Sequence, residues 1–319
     1  MINSTKQPLV IFTGPTAVGK TALSIRLAKE LNGEIISADS AQVYKYMDIG
    51  SAKITKDEMQ GIKHYLIDVL EPSEEFNIAT FKEMAISACR EIYSKGKIPI
   101  VVGGTGFYIQ SLIYDVDFSK ESEGNNEIRS ELEQIYKEKG ADYLHDMLKS
   151  IDKESAETIH KNNVKRVIRA IEYYKLTGEK ISVHNKTQSE KESPFNFAYF
   201  VLNEDRDSLY KKIDKRVDIM FENGLVGEVK SLKNMGLSKD NTSMLALGYK
   251  EVLDYLNGEI SLDEAKEIIK RDTRHFAKRQ ITWFKRENDV IWLNKENYNY
   301  DENKIIEVIK ENLSVKGII

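Results

Sequence analysis

Pro8-Leu9-Val10-Ile11-Phe12-Thr13-Gly14-Pro15-Thr16-Ala17-Val18-Gly19-Lys20-Thr21 sets the architecture of this chain. Pro8 to Thr13 is a short apolar, partly β-branched run, the pattern of a buried strand. Gly14 to Thr21 matches G-x-x-x-x-G-K-[ST], and Thr21 to Leu31 continues as a helix whose Ala22, Ile25, Leu27, Ala28 and Leu31 offer a core face. Strand, loop and helix in that order form an anion nest. The glycines let the backbone curl so that amide N–H groups converge, and the helix N-terminus adds its positive dipole end. Lys20 supplies a full charge, and the Thr21 hydroxyl is placed to hold Mg²⁺ against phosphate oxygens. The flanks disfavour the alternative of a chance match in a tight strand–helix turn. A di- or triphosphate is expected here, and an ATP-dependent kinase of a small molecule remains open at this point.

Outward from the loop, Glu34 to Ala38, His64 to Val69 and Ile98 to Val102 read as further strands, with a helix from Ile78 to Tyr93. Strands alternating with helices predict a parallel sheet with helices on both faces. After about Val116 the character changes. Ser119 to Asn126 is polar, and Ile128 to Thr177 shows helical periodicity without a convincing strand. Asn196 to Leu202 is strand-like again. Helices resume at Asp207 and are interrupted by an apolar run at Val290 to Leu293. The expected fold is therefore α/β, a P-loop NTPase-like parallel sheet flanked by helices with an inserted all-helical domain. The catalytic core with C-terminal helices takes residues 1–116 and 195–319, and the insertion takes 117–194.

Composition bounds the function classes. The chain has 319 residues, 41% hydrophobic and 31% charged, which supports a packed core and argues against global disorder. Cys89 is the one cysteine, which excludes an intramolecular disulfide framework and a zinc finger built on cysteine pairs. No apolar run approaches the ~20 residues of a membrane span, and Met1 to Pro8 lacks the apolar core of a secretory signal. A cytoplasmic protein is expected, with no membrane partner and acting as a monomer. The net charge of −4 decides little, because Arg271, Arg274, Lys278, Arg279, Lys285 and Arg286 face Asp272 alone in their segment. The histidines His64, His145, His160, His184 and His275 lack metal-ligand spacing.

Several blocks together carry a resemblance. Ser37-Ala38-Asp39-Ser40-Ala41-Gln42-Val43-Tyr44 and Asp48-Ile49-Gly50-Ser51-Ala52-Lys53 are similar to the signature of the tRNA dimethylallyltransferase (tRNA isopentenyltransferase, IPP transferase) family. So are His64 to Val69, Val102-Gly103-Gly104-Thr105-Gly106-Phe107-Tyr108, Leu247-Gly248-Tyr249-Lys250-Glu251 and Ala277-Lys278-Arg279-Gln280-Ile281-Thr282-Trp283-Phe284. They occur in the family's order from residue 9 to about 293. The resemblance implies transfer of a dimethylallyl group from dimethylallyl diphosphate to the exocyclic amine of the adenosine 3′-adjacent to the anticodon, position 37. Dimethylallyl diphosphate and the tRNA anticodon stem-loop would be the partners. The family's longer eukaryotic members add a C-terminal zinc-binding module, for which the residues up to Ile319 lack the cysteines, so a bacterial-type form is implied.

The implied chemistry assigns roles. The adenine amine is a poor nucleophile because its lone pair is delocalised, so a base must take its proton as the new bond forms. Asp39, at the carboxyl end of a strand, resembles the family's general base; a capping or Mg²⁺-shell aspartate is the alternative. The departing diphosphate accumulates negative charge, which the loop Gly14 to Thr21 would meet as a leaving-group cradle. Thr105 resembles a family residue near the reacting centre, with a helix-capping hydroxyl as the alternative. Arg206 resembles a diphosphate-binding residue. Lys212 falls where many relatives have arginine, so a bidentate contact is lost there. In isolation either position reads as a solvated surface charge.

The helix expected from Ser261 to Phe284 carries a basic stripe of Arg271, Arg274, Lys278 and Lys285 opposite its apolar side. A solvated face is the plain reading of that stripe, and RNA phosphates the reading the resemblance implies. The resemblance extends tRNA contact to Asp39, Ser40, Ala41, Gln42 and Thr105 near the base, to Arg274, Lys278 and Arg279, and to Arg129 and Lys165-Arg166-Val167-Ile168-Arg169 in the insertion. Two basic surfaces on different domains would clamp an anticodon arm, with the target base leaving its stack. The competing readings are a small-molecule kinase, an isopentenyltransferase acting on free adenine nucleotides, and a plain RNA-binding module.

Overall fold

The computed structural model describes residues 6–115, 126–189 and 191–319. In chain order its elements are β1 (Gln7–Thr13), α1 (Lys20–Glu30), β2 (Gly33–Ala38), β3 (His64–Tyr65), α2 (Ile78–Ser94), β4 (Ile98–Gly103) and α3 (Gly106–Ile113). Then come α4 (Asn126–Ile151), α5 (Lys153–Thr158), α6 (Val164–Thr177) and α7 (Ile181–Ser189). The chain ends with β5 (Phe195–Asn203), α8 (Arg206–Glu222), α9 (Leu225–Asn234), α10 (Tyr249–Leu256), α11 (Leu262–Phe284), β6 (Val290–Asn294) and α12 (Glu302–Val315). It divides into two compact units, one of Met1–Ile113 with Pro194–Ile319, the other of Tyr114–Ser193.

The first unit is built on a six-stranded sheet in the order β3-β2-β4-β1-β5-β6, and every named pairing is parallel. A parallel sheet buries both faces, and the sequence obeys: Leu9, Val10, Ile11 and Phe12 on β1 are all fully buried. The core of one face gathers Val10, Phe12, Leu23, Leu27, Ile100, Phe200, Leu209 and Ile309. Because β1 lies between β4 and β5, its loop opens at the carboxyl edge where parallel sheets bind ligands.

Two segments depart from the sequence reading. Of His64 to Val69 only His64 and Tyr65 are strand. Leu66 and Asp68 take positive φ values of 63° and 54°, which turn the chain out of the sheet. The following backbone pairs instead with the segment after Asp39, through Asp68 N to Gln42 O, Val69 N to Val43 O and Lys45 N to Leu70 O. The apolar interruption at Val290 to Leu293 is itself a strand, β6, paired in parallel with β5 from Tyr199↔Val290 to Asn203↔Asn294.

In the second unit α4 to α7 pack around Leu132, Leu144, Leu148, Val167, Ile168 and Ile171. Helix α4 is broken at Gly140, whose φ of 81° is non-helical. Asp152 caps α5 and ties α7 to it, accepting from Ser155 N at 3.1 Å and Ser182 N at 2.9 Å. Among the described residues no helix is long and apolar enough to cross a membrane. Cys89, on α2, is 2% exposed, and burial pushes its thiol up to about 12.

Candidate active site

The loop after β1 is shaped by close packing. A side chain at Gly14 would place its Cβ 2.3 Å from the Leu202 carbonyl oxygen, so only glycine lets β1 turn against β5. Ala17 takes a left-handed φ of 64°, a conformation that helps aim successive amides to one side. Lys20 opens α1 and curls back over the loop, its Nζ donating to the carbonyls of Gly14 at 2.9 Å and Pro15 at 2.7 Å. One side chain clasps the loop to the neighbouring strand end. Gln280 of α11 accepts from Thr16 N at 2.9 Å and donates to Gly104 O at 3.0 Å.

The loop lines a cavity of about 800 Å³. Thr16, Ala17, Gly19, Lys20 and Thr21 form one wall, and Asp39 and Gln42 face in from the end of β2. The segment from Asp48 to Thr55 supplies another wall, with Lys212 and Arg216 on α8 and Phe276 and Gln280 on α11. Asp39 Oδ1 accepts from Ala41 N at 2.9 Å and Gln42 N at 3.3 Å. Among the described residues Oδ2 accepts no hydrogen bond, which leaves one carboxylate oxygen unused by the protein. Asp39 is thus both a turn-capping carboxylate and a cavity group.

The wall at 48–53 is itself held by a carboxylate. Glu228 on α9 accepts from the successive amides Asp48 N at 2.9 Å, Ile49 N at 2.8 Å and Gly50 N at 3.1 Å, and from Tyr249 Oη at 2.7 Å. The Gln42 side chain donates to Ser51 O and Ala52 O, joining that wall to the segment beside Asp39. Lys53, though a cation at the cavity, is spent structurally on Tyr44 O, Asp48 and Asp68.

Arg216 is the residue that sequence reading missed. Its Nη1 donates to Thr16 Oγ1 at 3.3 Å, and it shares the cavity with Lys20 and Asp39. Burial pushes the Lys20 ammonium down to about 7, the Arg216 charge pushes the same way, and Asp39 opposes them. Burial also lowers Arg216, against Asp39 and Glu58. The available signal was spacing: Lys212 and Arg216 stand four apart on α8, so both reach one face.

Other expected site residues fall elsewhere. Arg206 is exposed at the start of α8, its guanidinium 5.1 Å from the Tyr210 ring centroid, and it does not line the cavity. Lys212 lines the cavity but pairs with the buried carboxylate of Glu204. Thr105 is not in the cavity lining; its carbonyl receives Tyr108 N at 3.0 Å, and among the described residues its hydroxyl makes no hydrogen bond, so it does not cap α3.

In the second unit Val167 and Ile168 are core residues, 0% and 6% exposed, so their side chains are closed to RNA. Arg129 and Arg169 both pair with Glu172, at 3.0 Å and 3.2 Å. Lys165 and Arg166 remain exposed on α6. On α11, Lys278 and Arg279 are exposed, whereas Arg274 pairs with Asp214. Beside Asp39, Ser40 is exposed and Ala41 is half-buried.

Comparison with known proteins gives the same picture. The sequence profile described as IPP transferase matches residues 42–287. The tRNA dimethylallyltransferase of Lachnoclostridium phytofermentans is 61% identical over 304 residues, covering 95% of this chain and 97% of the relative. That of Acetivibrio thermocellus is 55% identical, covering 97% and 98%. Among solved structures, the tRNA isopentenylpyrophosphate transferase of Bacillus halodurans superimposes with a TM-score of 0.73 at 42% identity, covering 98% of each chain. A eukaryotic dimethylallyltransferase acting on tRNA gives 0.76 at 32% identity, covering 90% of this chain and 74% of the other. With its glycine–lysine loop, its facing aspartate and these matches along nearly its whole length, the chain belongs to the IPP transferase family.

Proposed function

We infer that this protein prenylates tRNA, transferring a dimethylallyl group from dimethylallyl diphosphate to the exocyclic amine of the adenosine at position 37 and releasing diphosphate. The observation that carries the reading is the meeting of Lys20, Arg216 and Asp39 at one cavity. Two cations stand where a leaving diphosphate gathers charge, and a carboxylate oxygen stands open to a proton.

The reaction needs three things from these residues. The loop amides and Lys20 grip the diphosphate, and Arg216 adds a second cation fixed by Thr16. The amine nitrogen attacks the allylic carbon as the carbon–oxygen bond breaks, the electron pair leaving with diphosphate. Asp39 Oδ2 takes the amine proton, while its other oxygen stays bound to Ala41 N and Gln42 N. Lys212 contributes charge at the cavity rim, already shared with Glu204. The Thr21 hydroxyl, exposed and without a protein partner among the described residues, is a hard oxygen donor beside the phosphate site and suits Mg²⁺. When bound, that ion would neutralise charge on the diphosphate oxygens. For the RNA, Lys278 and Arg279 on α11 and Lys165 and Arg166 on α6 are the exposed cations suited to phosphate contact.

Incubation with radiolabelled dimethylallyl diphosphate, Mg²⁺ and either unmodified tRNA or AMP tests the reading. Label is expected in tRNA alone. Asp39→Ala should abolish transfer and leave tRNA binding largely intact. Label in AMP, or phosphorylation of a metabolite by ATP with the prenyl donor ignored, would overturn it.

A further inference from the structure

The edge strand β6 ends at Asn294, whose side chain accepts from Asn203 Nδ2 at 2.9 Å. Beyond it the backbone is anchored on both sides of Lys295. Tyr300 N donates to Lys295 O at 2.9 Å, and the Glu296 carboxylate accepts from Asp205 N. Thus held, Lys295 reaches the phosphate loop from outside the cavity and donates its Nζ to Val18 O at 2.6 Å. The fit is close: a Cβ at Gly19, whose φ is +95°, would lie 3.1 Å from that Nζ.

A peptide unit is planar and trans, so its C=O and the next N–H point in opposite directions. Fixing the Val18 carbonyl toward Lys295 therefore fixes the Gly19 N–H toward the other side. Gly19 lines the cavity, and its amide precedes those of Lys20 and Thr21 at the start of α1. A peptide at a glycine is also the one most free to flip, because both signs of φ are open to it. An ammonium donor makes the stronger, charge-assisted kind of hydrogen bond that opposes such a flip. Burial lowers the Lys295 ammonium, and Glu204, buried at the end of β5, opposes part of that cost.

We propose that Lys295 is a positioning residue for the prenyl donor: by holding the Val18 carbonyl it keeps the Gly19 amide aimed at the diphosphate. The proposal rests on the loop being the diphosphate site. It assigns a residue from the far end of the chain to the nest that Gly14 to Thr21 forms.

Calorimetric titration of wild type, Lys295→Met and Lys295→Arg with magnesium diphosphate tests it, alongside steady-state kinetics and tRNA binding. In K295M diphosphate affinity should fall about tenfold, the worth of one charge-assisted hydrogen bond acting indirectly. The KM for dimethylallyl diphosphate should rise in parallel, with kcat at saturating donor and tRNA affinity near wild type. K295R, which keeps a cationic donor, should recover most of the loss. Wild-type binding with K295M unchanged would overturn the proposal alone. Equal losses of diphosphate and tRNA affinity in K295M, unrelieved in K295R, would overturn it as general misfolding. A wild type that binds no diphosphate would overturn both the proposal and the reading beneath it.

Discussion

Lys20 and Arg216 in the sheet unit's cavity and Arg129 and Arg169 in the helical unit are used in opposite ways. Lys20 and Arg216 are bound by neutral oxygens, the carbonyls of Gly14 and Pro15 and the hydroxyl of Thr16, and among the described residues neither forms an ion pair. Arg129 and Arg169 converge on Glu172, which is 0% exposed. A neutral acceptor orients a cation without cancelling its charge, so the field stays available to an incoming anion. A carboxylate orients and cancels it, leaving a strut. Lys53, shared between Asp48 and Asp68 beside the cavity, belongs with the struts despite its location.

If that distinction is right, Arg216→Ala should give a far larger functional effect than any change to a strut. We expect kcat/KM for the prenyl donor to fall by about 10²–10³, the scale of losing one prearranged group at developing charge. Thermal stability should hold or rise, because a largely desolvated cation that forms no direct ion pair among the described residues is removed. Activity within tenfold of wild type would put Arg216 among the struts. The converse substitution, Glu172→Ala, should cost roughly 3 kcal/mol of stability, the low end for breaking a buried pair, since Arg129 and Arg169 can recover water. Chemical denaturation would measure it, and the KM for the donor should not move.

A third expectation concerns cations that are neither struts nor cavity groups. Replacing Lys278 and Arg279 by Ala should weaken tRNA binding and flatten the plot of log affinity against log salt by about two phosphate contacts. An unchanged slope would place the RNA elsewhere. The smallest effect is the uptake of about one proton. With Lys20 lowered to about 7, the folded protein has lost a proton that the unfolded chain keeps until higher pH. The penalty for burying this charge is therefore fully present below pH 7, shrinks as pH rises above 7 and is gone only above about 10.5, where the unfolded chain also loses the proton. Between about pH 7 and 10.5 the folded protein holds fewer protons than the unfolded chain, so this group makes stability rise with pH, the reverse of a lysine whose value is raised. An arriving diphosphate restores the charged form, so binding at pH 8.5 should take up at most about one proton. Calorimetry in buffers of differing ionisation enthalpy would detect it, and Lys20→Met should abolish it.

Much of this was legible in the chain because local patterns were unopposed. Strand β1, its loop, α1 and the helical insertion each follow from periodicity and one glycine-rich motif. Strand β3 was overread because His64 to Val69 is apolar enough, while nothing local announces that Leu66 and Asp68 adopt left-handed backbone. Strand β6 was passed over because its five residues gain meaning only from pairing with β5, about ninety positions earlier. The site divides likewise. Asp39 and the loop were visible, whereas Arg216 was lost among the neighbouring charges of α8, Lys211, Lys212, Asp214 and Lys215. Val167 and Ile168 were placed with RNA contacts because they sit inside a basic block; the helical period turns them inward. Gln280 stood in a quoted motif, but its clasp between Thr16 and Gly104 depends on residues far apart in the chain.

Cys89 carries a practical consequence. Its thiol is sheltered on α2 and raised to about 12, so at pH 8 only about one in ten thousand would be ionised. Thiolate is the reactive species, and alkylating dyes or spin labels will pass this residue by. A cysteine engineered on either unit could then be tagged selectively in the otherwise native chain, with no need to delete the one it already has.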